Sequence, residues 1–377
     1  MKEGFRQSMA WLHTWSGLLV GWVLFLIFAA GTSAYFRDEI SLWMKPELHQ
    51  SSAAFRGDPV VVAGQAQHYL EAHAQGSNRW NIRLPDGREP GVSLFWAVPQ
   101  AQQPAATAGG EQRPRRMRLE YATLDPATGE RMDAPRQTRG GDFFYRLHFD
   151  LHYMPAVWAR WIVGFCAMFM LVAIVSGIVT HKRIFKDFFT FRPQKGQRSW
   201  LDAHNATAVL ALPYHLMITY TGLVTLMFLY MPWGPQAAYQ GDEQAFFAEV
   251  FPTNARNIGR PSGTAAPLVP LGGLVRQASD AWSGHPVARI MVTNAGDSSA
   301  RVTLFQENPR GVSSKQATMV FDGATGALLE RRGEVLPAAS ETHGVLYGLH
   351  IARFSNPFVR WLFFLSGLAG TVMVATG

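Results

Sequence analysis

Apolar residues along the chain gather into four long blocks, at 11–36, 156–180, 204–231 and from 357 to the last residue. Each reaches or exceeds the roughly 20 residues that a helix needs to cross a hydrocarbon core of about 30 Å. The first block is too long for a cleaved signal peptide and carries His13 and several tryptophans, so it stays as an anchor. The two long polar stretches between blocks contain Gly/Pro-rich turns and short alternating runs such as ARIMVTN and RVTLFQ, the signature of half-buried strands. The pattern predicts an α-helical integral membrane protein with four transmembrane helices in two parallel repeats and two α+β modules outside the bilayer.

The units are an N-terminus with a first span over 1–36, a first module over 37–155 and a second span over 156–180. A basic loop at 181–203, a third span at 204–231, a second module at 232–346 and a fourth span within 347–377 complete the chain. Residues 99–116 read as a low-complexity loop. The short loop sets the orientation, because it carries Lys182, Arg183, Lys186, Arg192, Lys195 and Arg198 against Asp187 and Asp202. That places the loop and the N-terminus in the cytoplasm and the modules in the periplasm of a bacterial inner membrane. The fourth span stops at Gly377 without a basic anchor, which predicts a very short tail or a longer parent chain.

Composition sharpens this picture by exclusion. Charged residues make up 16% of the chain, against about 25% in soluble domains. The net charge of +7 is not accompanied by a basic helix or an aromatic and basic stripe, so nucleic acid is excluded as a partner. A single cysteine, Cys166, rules out disulfide frameworks, CxxC pairs, thiolate iron–sulfur clusters and covalently attached haem, and is read as a packing residue. No GxGxxG fingerprint or P-loop is present.

The chain repeats itself. His13 is followed 18 positions later by Gly31, and His204 by Gly222 at the same interval. Arg160-Trp161 precedes Gly177 as Arg360-Trp361 precedes Gly377. Asp125-Pro-Ala-Thr-Gly129 recurs as Asp322-Gly-Ala-Thr-Gly326, and Tyr145-Arg-Leu-His148 as Tyr347-Gly-Leu-His350. Parallel repeats imply a pseudo-twofold axis along the membrane normal and paired sites at equivalent depths.

The 12 histidines supply the candidate chemistry, since ionisable residues at a membrane span mark function by default. Neutral imidazole is an axial ligand of haem iron, and pseudo-symmetry pairs His13 with His204 near one surface and His350 with His148 or His152 near the other. Two b-type haems per chain would then form an electron path across the bilayer. His215, 11 residues after His204 and about 16 Å along the same helical face, is a rival ligand, and His181 and His343 are further candidates. His148 and His152, at i and i+4, could instead clamp zinc. Arg160 and Arg360 either snorkel to lipid phosphates or pair with haem propionates. Gly17, Gly21, Gly31, Gly177, Gly222, Gly367 and Gly370 allow either close helix approach or room for a flat cofactor. His49, His68, His73 and His285 read as solvated surface.

These features together resemble the PepSY-associated transmembrane family. The markers are Leu12-His13-Thr14-Trp15-Ser16-Gly17-Leu18, Asp202-Ala203-His204, Thr221-Gly222-Leu223, Leu349-His350 and the two Asp-x-Ala-Thr-Gly turns. The stretch HKRIFKDFFTFRP is similar to the branch of inner-membrane siderophore-iron reductases. The resemblance implies an oxidoreductase that passes electrons through haem to a ferric siderophore, hydroxamate types included, in the periplasm. A quinol in the bilayer or a cytosolic flavoprotein on the 181–203 loop would be the donor. The alternatives are a non-enzymatic, membrane-anchored binding or regulatory module, and a component of a siderophore or iron permease, for which a homodimer would be needed.

Overall fold

Helix α1, Phe5–Ala34, is long because nothing in its apolar run interrupts the hydrogen-bond ladder, and its buried stripe of Val20, Leu24, Ile27 and Ala30 recurs at three- and four-residue steps. This computed structural model describes residues 4–50, 57–99, 118–181, 188, 190–251, 260–307 and 311–377. Lys182, Arg183, Lys186 and Asp187 of the basic loop, and most of the 99–116 loop, lie outside the described residues. After α1 come α2 (Arg37–Trp43), α3 (Pro59–His73), capped by the Asp58 carboxylate, and α4 (Gly141–Asp150). The apolar helix α5 (Ala156–Thr180) then packs along α1, burying Val163, Cys166, Met170 and Ile174 against Val20, Leu24 and Ile27.

The third apolar block differs from the straight span expected at 204–231. It forms α6 (Gln197–Leu210) and α7 (Leu212–Thr225), bent by 73° at their junction. Pro213 is the physical cause, because it brings no N–H to the turn and its ring crowds the preceding carbonyls. His204 and His215 therefore do not share one straight face. The chain continues through α8 (Met227–Tyr230), α9 (Trp233–Ala238), α10 (Glu243–Val250), α11 (Leu271–Ala281) and α12 (Ala338–Ile351) to α13 (Pro357–Thr376). Among the described residues three helices, α1, α5 and α13, are each long and apolar enough to cross a membrane, and the bent α6–α7 pair makes a fourth crossing if taken as one span.

The polar stretches were expected to form two modules, and they share one sheet. Strands β1 (Arg79–Arg83), β2 (Val92–Ala97) and β3 (Leu119–Leu124) come from the first half, and β4 (Val287–Thr293), β5 (Arg301–Gln306), β6 (Thr318–Asp322) and β7 (Leu328–Arg332) from the second. Their order is β3-β2-β1-β4-β5-β6-β7, antiparallel throughout. The seam is the β1–β4 pair, where Trp80 opposes Val292 and Ile82 opposes Ile290. Each half alone would leave an unpaired strand edge, and the seam removes both edges. Helices α3 and α11 pack together over one face, sealing a core that includes Leu70, Ile82, Leu94, Leu274, Ile290 and Leu304. Buried Gln67 of α3 accepts the Leu271 N–H at the start of α11, which satisfies a helix-end donor across the same seam.

The sheet is held to the membrane helices by one ionic clasp. Arg88, in the β1–β2 hairpin, donates two hydrogen bonds to the Glu39 carboxylate, at 3.1 and 2.7 Å, and pairs with Asp38 at 3.2 Å. Arg360 at the start of α13 pairs with the same Glu39. Burial raises the Glu39 carboxyl, but the Arg88 hydrogen bonds, a backbone hydrogen bond and the charges of Arg88 and Arg360 together outweigh it and hold the group below its ordinary value.

Two outcomes follow from these packings. Ile290→Ala, which empties part of the seam, should cost about 2–4 kcal/mol and loosen strands of both halves together, read by hydrogen exchange on β1 and β4. Because the folded-state pKa of Glu39 is depressed, its stabilisation is present above the unfolded-state value and is lost as pH falls through the folded one. Thermal melts at falling pH should therefore lose stability over that range in the parent, and less in Glu39→Gln.

Candidate functional site

Four of the predicted histidines come together as two pairs. His13 of α1 and His204 of α6 have ring centres 6.1 Å apart, and His148 of α4 and His350 of α12 have ring centres 6.0 Å apart. On α1, His13 and Gly31, the glycine under His148, are 18 residues apart. At the helical rise that separates the two levels by about 27 Å, close to the thickness of a bilayer core.

Each imidazole is seated on a glycine of a different helix. A Cβ built at Gly177 would lie 3.0 Å from His13, and one at Gly31 would lie 2.7 Å from His148. The corresponding distances are 2.5 Å from Gly377 to His204 and 3.1 Å from Gly222 to His350. The missing side chain uncovers the carbonyl one turn earlier, whose second lone pair remains available after the helical bond. His13 Nδ1 donates to Ala173 O, His148 Nδ1 to Ile27 O and His204 Nδ1 to Met373 O, each at 2.8 Å. His350 Nδ1 donates to Thr221 Oγ1 at 3.1 Å, and that hydroxyl donates onward to Met217 O. A carbonyl only accepts, so Nδ1 carries the proton in these histidines and Nε2 keeps its lone pair.

Two imidazoles bound on opposite sides of one metal ion by bonds of about 2.0 Å place their ring centres roughly 6 Å apart. Both pairs meet that spacing. Among the described residues no group of three or more His, Cys, Asp or Glu is placed to hold a metal ion. An axial pair differs from such a group because a macrocycle supplies the other donors. The His148–His350 pair faces a cavity of about 320 Å³ lined by apolar side chains such as Leu24, Ile27, Phe28 and Val163 and by polar ones such as Arg37, Tyr145 and Arg353. The donor set and the glycine seats fit a bis-histidine haem.

The other candidates stand apart. His152 was an alternative to His148, and Leu151, His152 and Tyr153 all have φ between 46° and 52°, so α4 ends before it. Its Nε2 bonds to Phe143 O and its ring stacks on Phe143, so the i, i+4 clamp for zinc is not formed. His215 is buried, edge-on to Phe28, with no hydrogen-bond partner for Nε2 among the described residues and with Gly370 against it. His343 lies among Phe228, Phe251 and Tyr347. His181 ends α5. Arg160 is held by Asp150 at 2.8 Å and Arg360 by Glu39, and neither lines the cavity. The cavity arginines are Arg37, Arg88 and Arg353, whose position depends on loop contacts that spacing does not reveal. Gly17 and Gly21 have nothing within 4 Å, and Gly367 faces Thr32 and Tyr214.

Gly31→Val or Gly222→Val should push the adjacent imidazole out of its seat, whereas Gly21→Ala should not. Carbethoxylation of His148 and His350, followed by mass spectrometry, should rise several-fold in the first two variants and stay at the parental level in the third.

Comparison with known proteins agrees with this architecture. No curated protein matches the chain. The family model for the PepSY-associated TM region matches residues 10–377, a range that takes in both histidine pairs and the whole sheet, and the chain belongs to that family.

Proposed function

We propose that this membrane protein is a haem b electron carrier, with two haems per chain, that reduces a ferric siderophore on the side of the membrane where the sheet lies. The observation that carries the reading is the duplicated imidazole pair, each ring on a glycine and each Nδ1–H engaged by a neighbouring helix. His13 and His204 would hold one haem, and His148 and His350 the other. A bis-histidine haem supplies a one-electron carrier with no open coordination position. The chain's own part is to fix tautomer and ring orientation through the four Nδ1–H bonds, which also makes Nε2 a stronger donor. The apolar part of the lining of the His148–His350 cavity, the outer one in this reading, lowers the local dielectric around the pair. One electron delivered to the iron of a ferric chelate weakens the grip of its hard oxygen donors and frees Fe(II).

The excess of lysine and arginine in the 181–203 loop supports a cytoplasmic position for that loop in a bacterial inner membrane, with the sheet in the periplasm. A quinol in the bilayer or a flavoprotein docked on that loop would supply electrons. A second reading, a membrane-anchored binding module, is supported by the size of the sheet that both halves build together.

Detergent-purified protein should show a reduced-minus-oxidised spectrum of low-spin b haem, with a pyridine haemochrome value of about two per chain. His13→Ala or His204→Ala should remove one haem, and His148→Ala or His350→Ala the other. A folded, colourless protein would reject the carrier and favour the binding module.

A further inference from the structure

The cavity beside His148 and His350 is lined in part by polar and charged side chains, among them Arg37, Asp38, Arg88, Tyr145, Tyr347 and Arg353. Arg37 pairs with Asp142 at 2.5 Å and lies 4.5 Å over the Tyr145 ring. Arg88 is committed to Asp38 and Glu39 in the clasp. Arg353 differs: among the described residues no carboxylate lies within ion-pair distance of it. The two acids whose charge reaches it, Asp86 and Glu89, are engaged by Arg83 at 3.4 and 2.8 Å.

Sequence places this cation beside the site. Arg353 follows His350 by three residues and Tyr347 precedes it by three. Ala352, at φ 50°, ends α12 in a left-handed turn, so the chain changes direction just before Arg353. Tyr347 and Tyr145, the two tyrosines of the repeated Tyr-x-Leu-His motif, line the same cavity. An exposed guanidinium without a carboxylate partner and two half-buried phenols along one cavity lining make a donor set that an anion would complete. Carboxylate suits this set, since arginine binds it by two parallel hydrogen bonds and tyrosine donates a third.

We propose that Arg353, with Tyr145 and Tyr347, is the carboxylate-binding edge of the outer site. It takes the acidic side groups of the haem held between His148 and His350 and orients that haem with its acidic edge toward the sheet. This inference rests on the reading of those two histidines as a ligand pair. It replaces Arg160 and Arg360, which are held elsewhere by Asp150 and Glu39. Arg353 acts here as a positioning residue, and its positive charge also favours the reduced state of the outer iron.

The test uses full-length protein in detergent and the variants Arg353→Gln and Arg353→Lys. Haem transfer to an excess of apomyoglobin is followed in time, and the haem carboxylate bending bands are recorded by resonance Raman. Arg353→Gln should release one of its two haems about tenfold faster or more, the factor expected for a lost charge-assisted hydrogen bond. It should also shift one carboxylate band and lower the midpoint potential of the outer haem. Arg353→Lys should recover part of each change, and the inner haem, unaltered throughout, reports that the variant is folded. Two haems with release rates and bands equal to the parent in Arg353→Gln would overturn this inference alone. A parent protein without haem at His148 and His350 would overturn the ligand-pair reading and this inference with it.

Discussion

The arrangement depends on how four half-buried imidazoles are held against the apolar helices without leaving Nδ1 unpaired. An unsatisfied N–H in so apolar a setting costs several kcal/mol. In three places a glycine opens a path to the carbonyl of the preceding turn, and at the fourth, Gly222, the acceptor is the hydroxyl of the adjacent Thr221. That bond fixes which nitrogen carries the proton and leaves the other without one. The close approach of α1 to α5, of α4 to α1, of α6 to α13 and of α12 to α7 follows from the same contacts. Helix packing and ligand geometry are thus one constraint, and a side chain larger than hydrogen at any of the four glycines disturbs both.

Much of this was legible in the sequence because it rests on local pattern. Four apolar blocks of sufficient length gave the spans, and the repeated His-to-Gly interval gave His13 and His204 as equivalents. The Tyr-x-Leu-His match distinguished His148 from His152 only weakly. What decides between them is the left-handed backbone at Leu151, His152 and Tyr153, a conformation that non-glycine residues seldom adopt and that no residue type there announces. The glycines were visible, but their role as imidazole seats needed the facing helix.

Other features were hidden because they depend on contacts far apart in sequence. The β1–β4 seam joins residues about 210 positions apart, and alternation in each strand is equally consistent with two separate sheets. The bend at Ala211 had a local signal in Pro213, whose effect on the third span outweighs the apolar continuity around it. Arg160 and Arg360 were drawn toward the site by their repeat positions, yet Asp150 and Glu39 are nearer and better placed.

The seam between β1 and β4 also bears on what either half could do alone. Each half carries one imidazole of each pair, and each half ends its share of the sheet on the strand that meets the other half. Separated halves would therefore expose an open strand edge and hold only one ring of each pair, so that a single event, the parting of β1 from β4, would open the sheet and divide both pairs together.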